Sequence, residues 1–192
     1  VVIKNSTLRA GDDNIAIKSG RDTDGRRVNV PTQNVVIWNN KFEGPWGAIT
    51  LGSELTGGIQ NVYAYSNSTV GGGTRFALYV KSNTLRGGFA RNVNIDTLHG
   101  SNFSRDVAFI TMTYNSQTGN FPPDFSGPFT LNNFVVDTAP RVLDLEGLSS
   151  DKIGNFTLSN STFTNITNAT NTISNVKKVT YTNVKINGKS VS

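Results

Sequence analysis

Val35-Val36-Ile37-Trp38-Asn39 reads apolar, variable, apolar, variable, polar, and the phrase returns along the 192-residue chain. Its other copies are Val1-Val2-Ile3-Lys4-Asn5, Val62-Tyr63-Ala64-Tyr65-Ser66, Val93-Asn94-Ile95-Asp96-Thr97, Phe134-Val135-Val136-Asp137-Thr138, Phe156-Thr157-Leu158-Ser159-Asn160 and Val179-Thr180-Tyr181-Thr182-Asn183. Alternation at period two sends the first and third residues to one side of a strand. Successive copies lie 22 to 41 residues apart, with the excess falling in insertions rich in Gly, Pro and Asn. The fifth position is always Asn, Ser or Thr, a column of small hydrogen-bonding side chains suited to stacked coils.

A second short strand follows in most copies: Ile15-Ala16-Ile17, Ile49-Thr50-Leu51, Leu78-Tyr79-Val80, Ile110-Thr111-Met112 and Leu143-Asp144-Leu145. Two strand columns joined by turns of variable length predict an all-β chain, a parallel β-helix solenoid of about seven coils filling residues 1–192 as one domain. At about 4.8 Å per coil the rod is roughly 34 Å long. A β-sandwich would carry Asn-Gly or Asp-Gly hairpins every 8 to 12 residues or so, and such dipeptides are scarce here.

Composition agrees. The chain holds 24 Asn, 22 Thr, 17 Ser and 19 Gly, all poor residues for a helix interior, which excludes a coiled coil or a long-helix bundle. No apolar run approaches the ~18 residues of a membrane span. Cys is absent, so there is no disulfide framework, thiolate metal site or cysteine nucleophile, and the single His99 excludes a histidine metal cluster. The net charge of +5 favours an anionic partner, but the basic residues are scattered. A nucleic-acid stripe clusters them and interleaves aromatics, which disfavours nucleic acid and leaves an anionic lipid surface or an acidic polysaccharide.

Function is sought on the outward face of the second strand column. Alternation places Ala16, Thr50, Tyr79, Thr111 and Asp144 in one outward row and Lys18, Gly52, Lys81, Thr113 and Glu146 in the next. Just before the first of these strands lies Gly11-Asp12-Asp13-Asn14. Neighbouring carboxylates ionise in separate steps, so one holds a proton while the other is charged, the combination that glycoside hydrolysis requires. Gly-Asp-Asp is also an ordinary turn sequence, in which Asp caps its own backbone. An Asp12 buried in the core, or bonded only to its own turn, would sink the catalytic reading.

The stretch Gly11-Asp12-Asp13-Asn14-Ile15-Ala16-Ile17-Lys18-Ser19-Gly20 closely resembles the Gly-Asp-Asp-x-x-x-x-Lys-Ser-Gly signature of glycoside hydrolase family 28, the polygalacturonases. Ile49-Thr50-Leu51-Gly52-Ser53-Glu54-Leu55-Thr56-Gly57-Gly58 is similar to the family's Ile-Gly-Ser-x-x-x-Gly-Gly segment. Leu78 to Gly88 is similar to its Arg-x-Lys segment and the Arg-Gly-Gly that follows. The resemblance implies a right-handed parallel β-helix and inverting hydrolysis of α-1,4-linked galacturonan or a related pectic chain. By the same resemblance Asp12 is the general acid, Asp13 a water-activating carboxylate and Lys81 a ligand for a substrate carboxylate. Lys18, Tyr79, Trp46 and Tyr114 are then substrate-binding candidates. The implied enzyme uses no metal or organic cofactor, acts as a secreted monomer and has pectic polysaccharide as its partner.

Three departures from the family pattern stand out. The upstream Asn-Thr-Asp-Gly motif, source of the other water-activating Asp, is absent, as expected of the C-terminal portion of a longer enzyme. Asp22-Thr23-Asp24-Gly25 imitates it in letters and is expected to cap a turn in a downstream loop. Trp46 stands where the family has an active-site His, and Tyr79 where it has the Arg of Arg-x-Lys. These point to an altered pectic specificity. The competing readings are a non-catalytic carbohydrate-binding solenoid and, more remotely, a calcium-dependent eliminase.

Overall fold

The computed structural model describes residues 1–70 and 73–191, and they form a parallel β-helix. One sheet stacks Val2–Lys4, Thr32–Trp38, Ile59–Thr69, Phe89–Ser101, Asp124–Ala139, Ile153–Ile166 and Val176–Ile186, all parallel. Lys189–Val191 adds an antiparallel end strand. The other sheet stacks Ile15–Ile17, Gly47–Gly52, Phe76–Lys81, Ala108–Thr111, Leu143–Glu146 and Thr172–Ser174, again all parallel. The inward residues of the two sheets meet in one apolar core: Val35, Ile37, Val62, Ala64, Val93 and Ile95 from the first, Ile49, Leu51, Leu78, Val80, Leu143 and Leu145 from the second. In-register stacking turns each inward position into a column of like side chains, which is how a sequence so poor in apolar residues still fills its interior.

The fifth-position column has a second cause besides ladder bonding. Asn5, Asn39, Ser66, Thr97, Asn160 and Asn183 all adopt left-handed backbone, with φ between 48° and 54°. The strand bends there, and Asn is the non-glycine residue that best tolerates that conformation. Amide ladders also form, Asn39 donating to Asn5 at 2.8 Å and Asn183 to Asn160 at 3.1 Å.

Two registers read from the sequence need correction. The coil partner of Val93 and Ile95 is Phe129 and Leu131, not Phe134 and Val136, which pair with Leu98 and Gly100 beyond the bend. Asn133, at φ 56°, is therefore that coil's fifth position. On the second sheet Phe109 pairs with Tyr79 and Asp144, while Thr111 pairs with Lys81 and Glu146. The outward rows thus read Ala16, Thr50, Tyr79, Phe109, Asp144 and Gly52, Lys81, Thr111, Glu146, and Asp144 lies two coils from Tyr79.

One local feature also differs from expectation. Asp22-Thr23-Asp24-Gly25 lies in a short helix, Asp22–Val28, where Gly25 packs against Gly20 and Thr56. His99 is on the strand Phe89–Ser101 and exposed. Phe125 is fully buried, whereas Phe121 is exposed under the guanidinium of Arg26, 3.9 Å from its ring centre.

Candidate active site

Asp12 and Asp13 occupy the turn that feeds the strand Ile15–Ile17, and the two carboxylates face different surroundings. Asp13 is nearly buried: its side chain is 8% exposed. One oxygen accepts the Gly47 N–H at 2.9 Å, and the other receives the ammonium of Lys81 at 3.2 Å. That ion pair joins residues 68 apart in sequence, two coils from each other along the rod. A side chain at Gly47 would meet the same Asp13 oxygen at 2.9 Å and the Thr50 hydroxyl at 2.1 Å, so only glycine lets the amide approach. Asn14 completes the turn by accepting the Gly44 N–H at 2.9 Å and donating to the Gly47 carbonyl at 3.2 Å.

Asp12 is exposed, and its single side-chain bond is local: its Oδ1 accepts the N–H of Asp13 at 2.8 Å. It is not in the core, but among the described residues its bond lies within its own turn, so the expectation of a partner beyond that turn is not met. That contact leaves its second oxygen unpaired on an exposed side chain, one residue before Asp13.

Lys81 lies 4.4 Å from the ring centre of Tyr79 and 5.3 Å from that of Tyr114. Cation–π contact holds an ammonium without consuming its three N–H donors, and Asp13 takes only one of them. The structure thus brings Asp13, Lys81, Tyr79 and Tyr114 together. Tyr79 is 7% exposed, with Phe76 at 4.5 Å and Phe109 at 5.2 Å from its ring. Its ring faces are occupied, so what it offers a substrate is the hydroxyl, which burial pushes well above its ordinary pKa, with the neighbouring Tyr114 and Asp13 adding to the effect.

Lys18 stands at the margin of this cluster. Its ammonium pairs with Glu54 at 2.5 Å, and Glu54 also meets the guanidinium of Arg86 at 3.1 Å. Arg86, whose side chain is 6% exposed, bonds the Ser53 hydroxyl as well and lies 5.9 Å from the Tyr114 ring. Trp46 is half-buried, its ring under the guanidinium of Arg75 at 3.6 Å. Phe109, Arg75 and Glu54 were not among the residues singled out from sequence. The apolar phase Ala108-x-Ile110 was the signal that would have turned Phe109 outward; Arg75 and Glu54 carried none.

No family model matches the chain. It is 28% identical over 165 residues to a probable polygalacturonase of Vitis vinifera, covering 83% of this chain and 33% of that protein. It is 26% identical to an exo-poly-α-D-galacturonosidase of Dickeya chrysanthemi, covering 100% of this chain and 36% of that one. Its fold superposes on the hyperthermoactive exopolygalacturonase from Thermotoga maritima with a TM-score of 0.87 at 26% identity, over 98% of this chain and 42% of the other. The chain spans about a third of the length of the two sequence relatives. Fold, motif order and these likenesses agree: the chain is similar to polygalacturonases and is built, like the Thermotoga maritima enzyme, as a right-handed parallel β-helix.

Proposed function

We propose that this chain carries the acid–base and substrate-binding face of an enzyme that hydrolyses the α-1,4 bonds of pectic galacturonan with inversion. The observation that supports this best is the Asp13–Lys81 pair, closed across the rod next to the exposed Asp12. In single displacement one carboxyl protonates the leaving oxygen while another takes a proton from water as that water attacks the anomeric carbon. Asp12, with its second oxygen unpaired, is the donor in this reading. Asp13 is a water-activating carboxylate whose direction is fixed by the Gly47 amide. The remaining Lys81 donors bind a galacturonate carboxylate, Tyr79 and Tyr114 hold that ammonium in place, and Lys18 and Trp46 flank the chain. A secreted protein acting on plant cell-wall pectin suits this chemistry.

Reducing-end release from polygalacturonic acid tests the reading. Asp12→Asn keeps the turn bond to Asp13 but removes the proton, so it should lower turnover by about 10²–10⁴-fold with little change in substrate affinity. Galacturonan binding with no release, by the chain and by a version extended upstream alike, would favour a carbohydrate-binding solenoid instead. Neither binding nor release would remove the galacturonan assignment.

A further inference from the structure

The replacement of the family's Arg by Tyr79 leaves a pectic site short of one guanidinium, the group best shaped to grip a carboxylate in two places. A guanidinium nevertheless lies next to this site. Arg75 precedes the strand Phe76–Lys81, and its guanidinium sits 3.6 Å from the centre of the Trp46 ring. Its backbone is fixed from two sides: its N–H donates to the Trp46 carbonyl at 3.1 Å, and the buried hydroxyl of Thr74 donates to Gly44 at 3.0 Å. Among the described residues no carboxylate pairs with it, whereas Lys18, Lys81, Arg86 and Arg141 each have an acidic partner. A guanidinium held against an aromatic face keeps its in-plane N–H donors available.

Its position relative to the proposed chemistry follows from the backbone. Trp46 is followed by Gly47, whose amide binds Asp13, and the other Asp13 oxygen holds Lys81. Arg75 and Lys81 are therefore the two ends of one connected arrangement, joined through Trp46, Gly47 and Asp13. Tyr79 in place of Arg and Trp46 in place of His then have one explanation, since Trp46 is the platform that presents the substituted cation.

Resting on the pectic reading above, we infer that Arg75, stacked on Trp46, is a specificity-determining residue that binds the carboxylate of a galacturonate unit and replaces the guanidinium absent at Tyr79. A methyl-esterified unit, which has no charge to offer, gains nothing from it.

The test is binding of trigalacturonate and of its methyl ester, by calorimetry, to the unmodified chain, Arg75→Gln and Arg75→Lys. The expected result is a roughly tenfold or greater loss of affinity for the charged trimer in Arg75→Gln, partial retention in Arg75→Lys, and no change for the ester. A fluorescence measurement leaves residue 75 untouched: in Trp38→Phe, Trp46 is the sole remaining tryptophan. Its emission should change with the charged trimer and not with the ester. Equal losses for both ligands, or a silent Trp46 in a chain that binds the trimer, would overturn the assignment of Arg75. If the unmodified chain hydrolyses polygalacturonate and Arg75→Gln binds the trimer normally, this inference fails alone. If the unmodified chain neither binds nor hydrolyses, the pectic reading fails with it.

Discussion

Glu54 and Asp144 lie on the same side of the rod, near and within the same sheet, and their charge environments are opposite. Glu54 has two cations to itself, Lys18 at 2.5 Å and Arg86 at 3.1 Å. Asp144 shares one guanidinium: Arg141 contacts it at 3.2 Å and Asp106 at 3.3 Å. Burial pushes both carboxyls up. At Glu54 the bond from Lys18, with the charges of Lys18 and Arg86, overturns that push and holds the group at about 2. At Asp144 the neighbouring Asp106 and Glu146 reinforce burial, Arg141 opposes only part of it, and the group rises to about 6. One Asp144 oxygen is buried without a hydrogen-bond partner. The ratio of cations to carboxylates, more than depth, separates the two.

The largest expected effect comes from breaking the favourable side. Glu54→Gln leaves the Arg86 guanidinium, only 6% exposed, with neutral acceptors alone, the Ser53 hydroxyl and the new amide oxygen. Removing one partner of a buried ion pair costs about 3–5 kcal/mol, and the Ser53 bond places this case at the lower end. Urea unfolding at pH 7 measures it. A loss below about 1 kcal/mol would mean that Arg86 is hydrated and that Glu54 neutralises nothing.

Relieving the unfavourable side is the next largest effect, with the opposite sign. Asp144 binds its proton more tightly folded than unfolded, so its contribution is fully present below the ordinary Asp range and is lost as pH rises through about 6. At about 1.4 kcal/mol per pH unit, Asp144→Asn should stabilise the protein by up to about 3 kcal/mol at pH 7.5 and by only about 0.5 kcal/mol at pH 4. Glu54 runs the other way: its stabilisation is present above about 4.5 and is lost as pH falls toward about 2. A gain from Asp144→Asn that is equal at both pH values would show that packing, rather than charge, separates the two variants.

The sequence carried unequal parts of this picture. The stacked-coil fold was readable because inward Val, Ile, Leu and Phe recur at strand period between polar turns. The strand columns put Asp12 and Asp13 near Lys81, but the pairing of Asp13 with Lys81, and of Lys18 with Glu54, came from the structure. The two register errors share one physical origin. Asp124–Ala139 is a single strand that bends at Asn133, so Phe129-x-Leu131 and Phe134-x-Val136 are both apolar pairs facing inward. Only the left-handed residue between them says which pair aligns with Val93 and Ile95. Along Ala108, Ile110 and Met112 the inward face is continuous, so the phase was right and the stacking neighbour was two residues off. Charge pairing was less legible still. Arg75, Glu54 and Arg141 look like ordinary surface residues until three coils are superposed.

Lys18 supplies the smallest and most discriminating effect. Its side chain is 49% exposed, so solvent screens its pairing with Glu54, and Lys18→Gln should cost no more than about 0.5 kcal/mol at pH 7. Yet the Lys18 bond is the foremost influence holding the Glu54 carboxyl down. The variant should therefore move the Glu54 titration, followed by carboxyl-carbon NMR, upward only by the few tenths of a pH unit that a cost of about 0.5 kcal/mol allows. Arg86 remains, so the group should stay well below the ordinary Glu range. A Glu54 titration that does not move without Lys18 would make Arg86 alone sufficient. The two-cation account of this carboxylate would then reduce to one buried pair, with a cation ratio no different from that of Asp13 and Lys81.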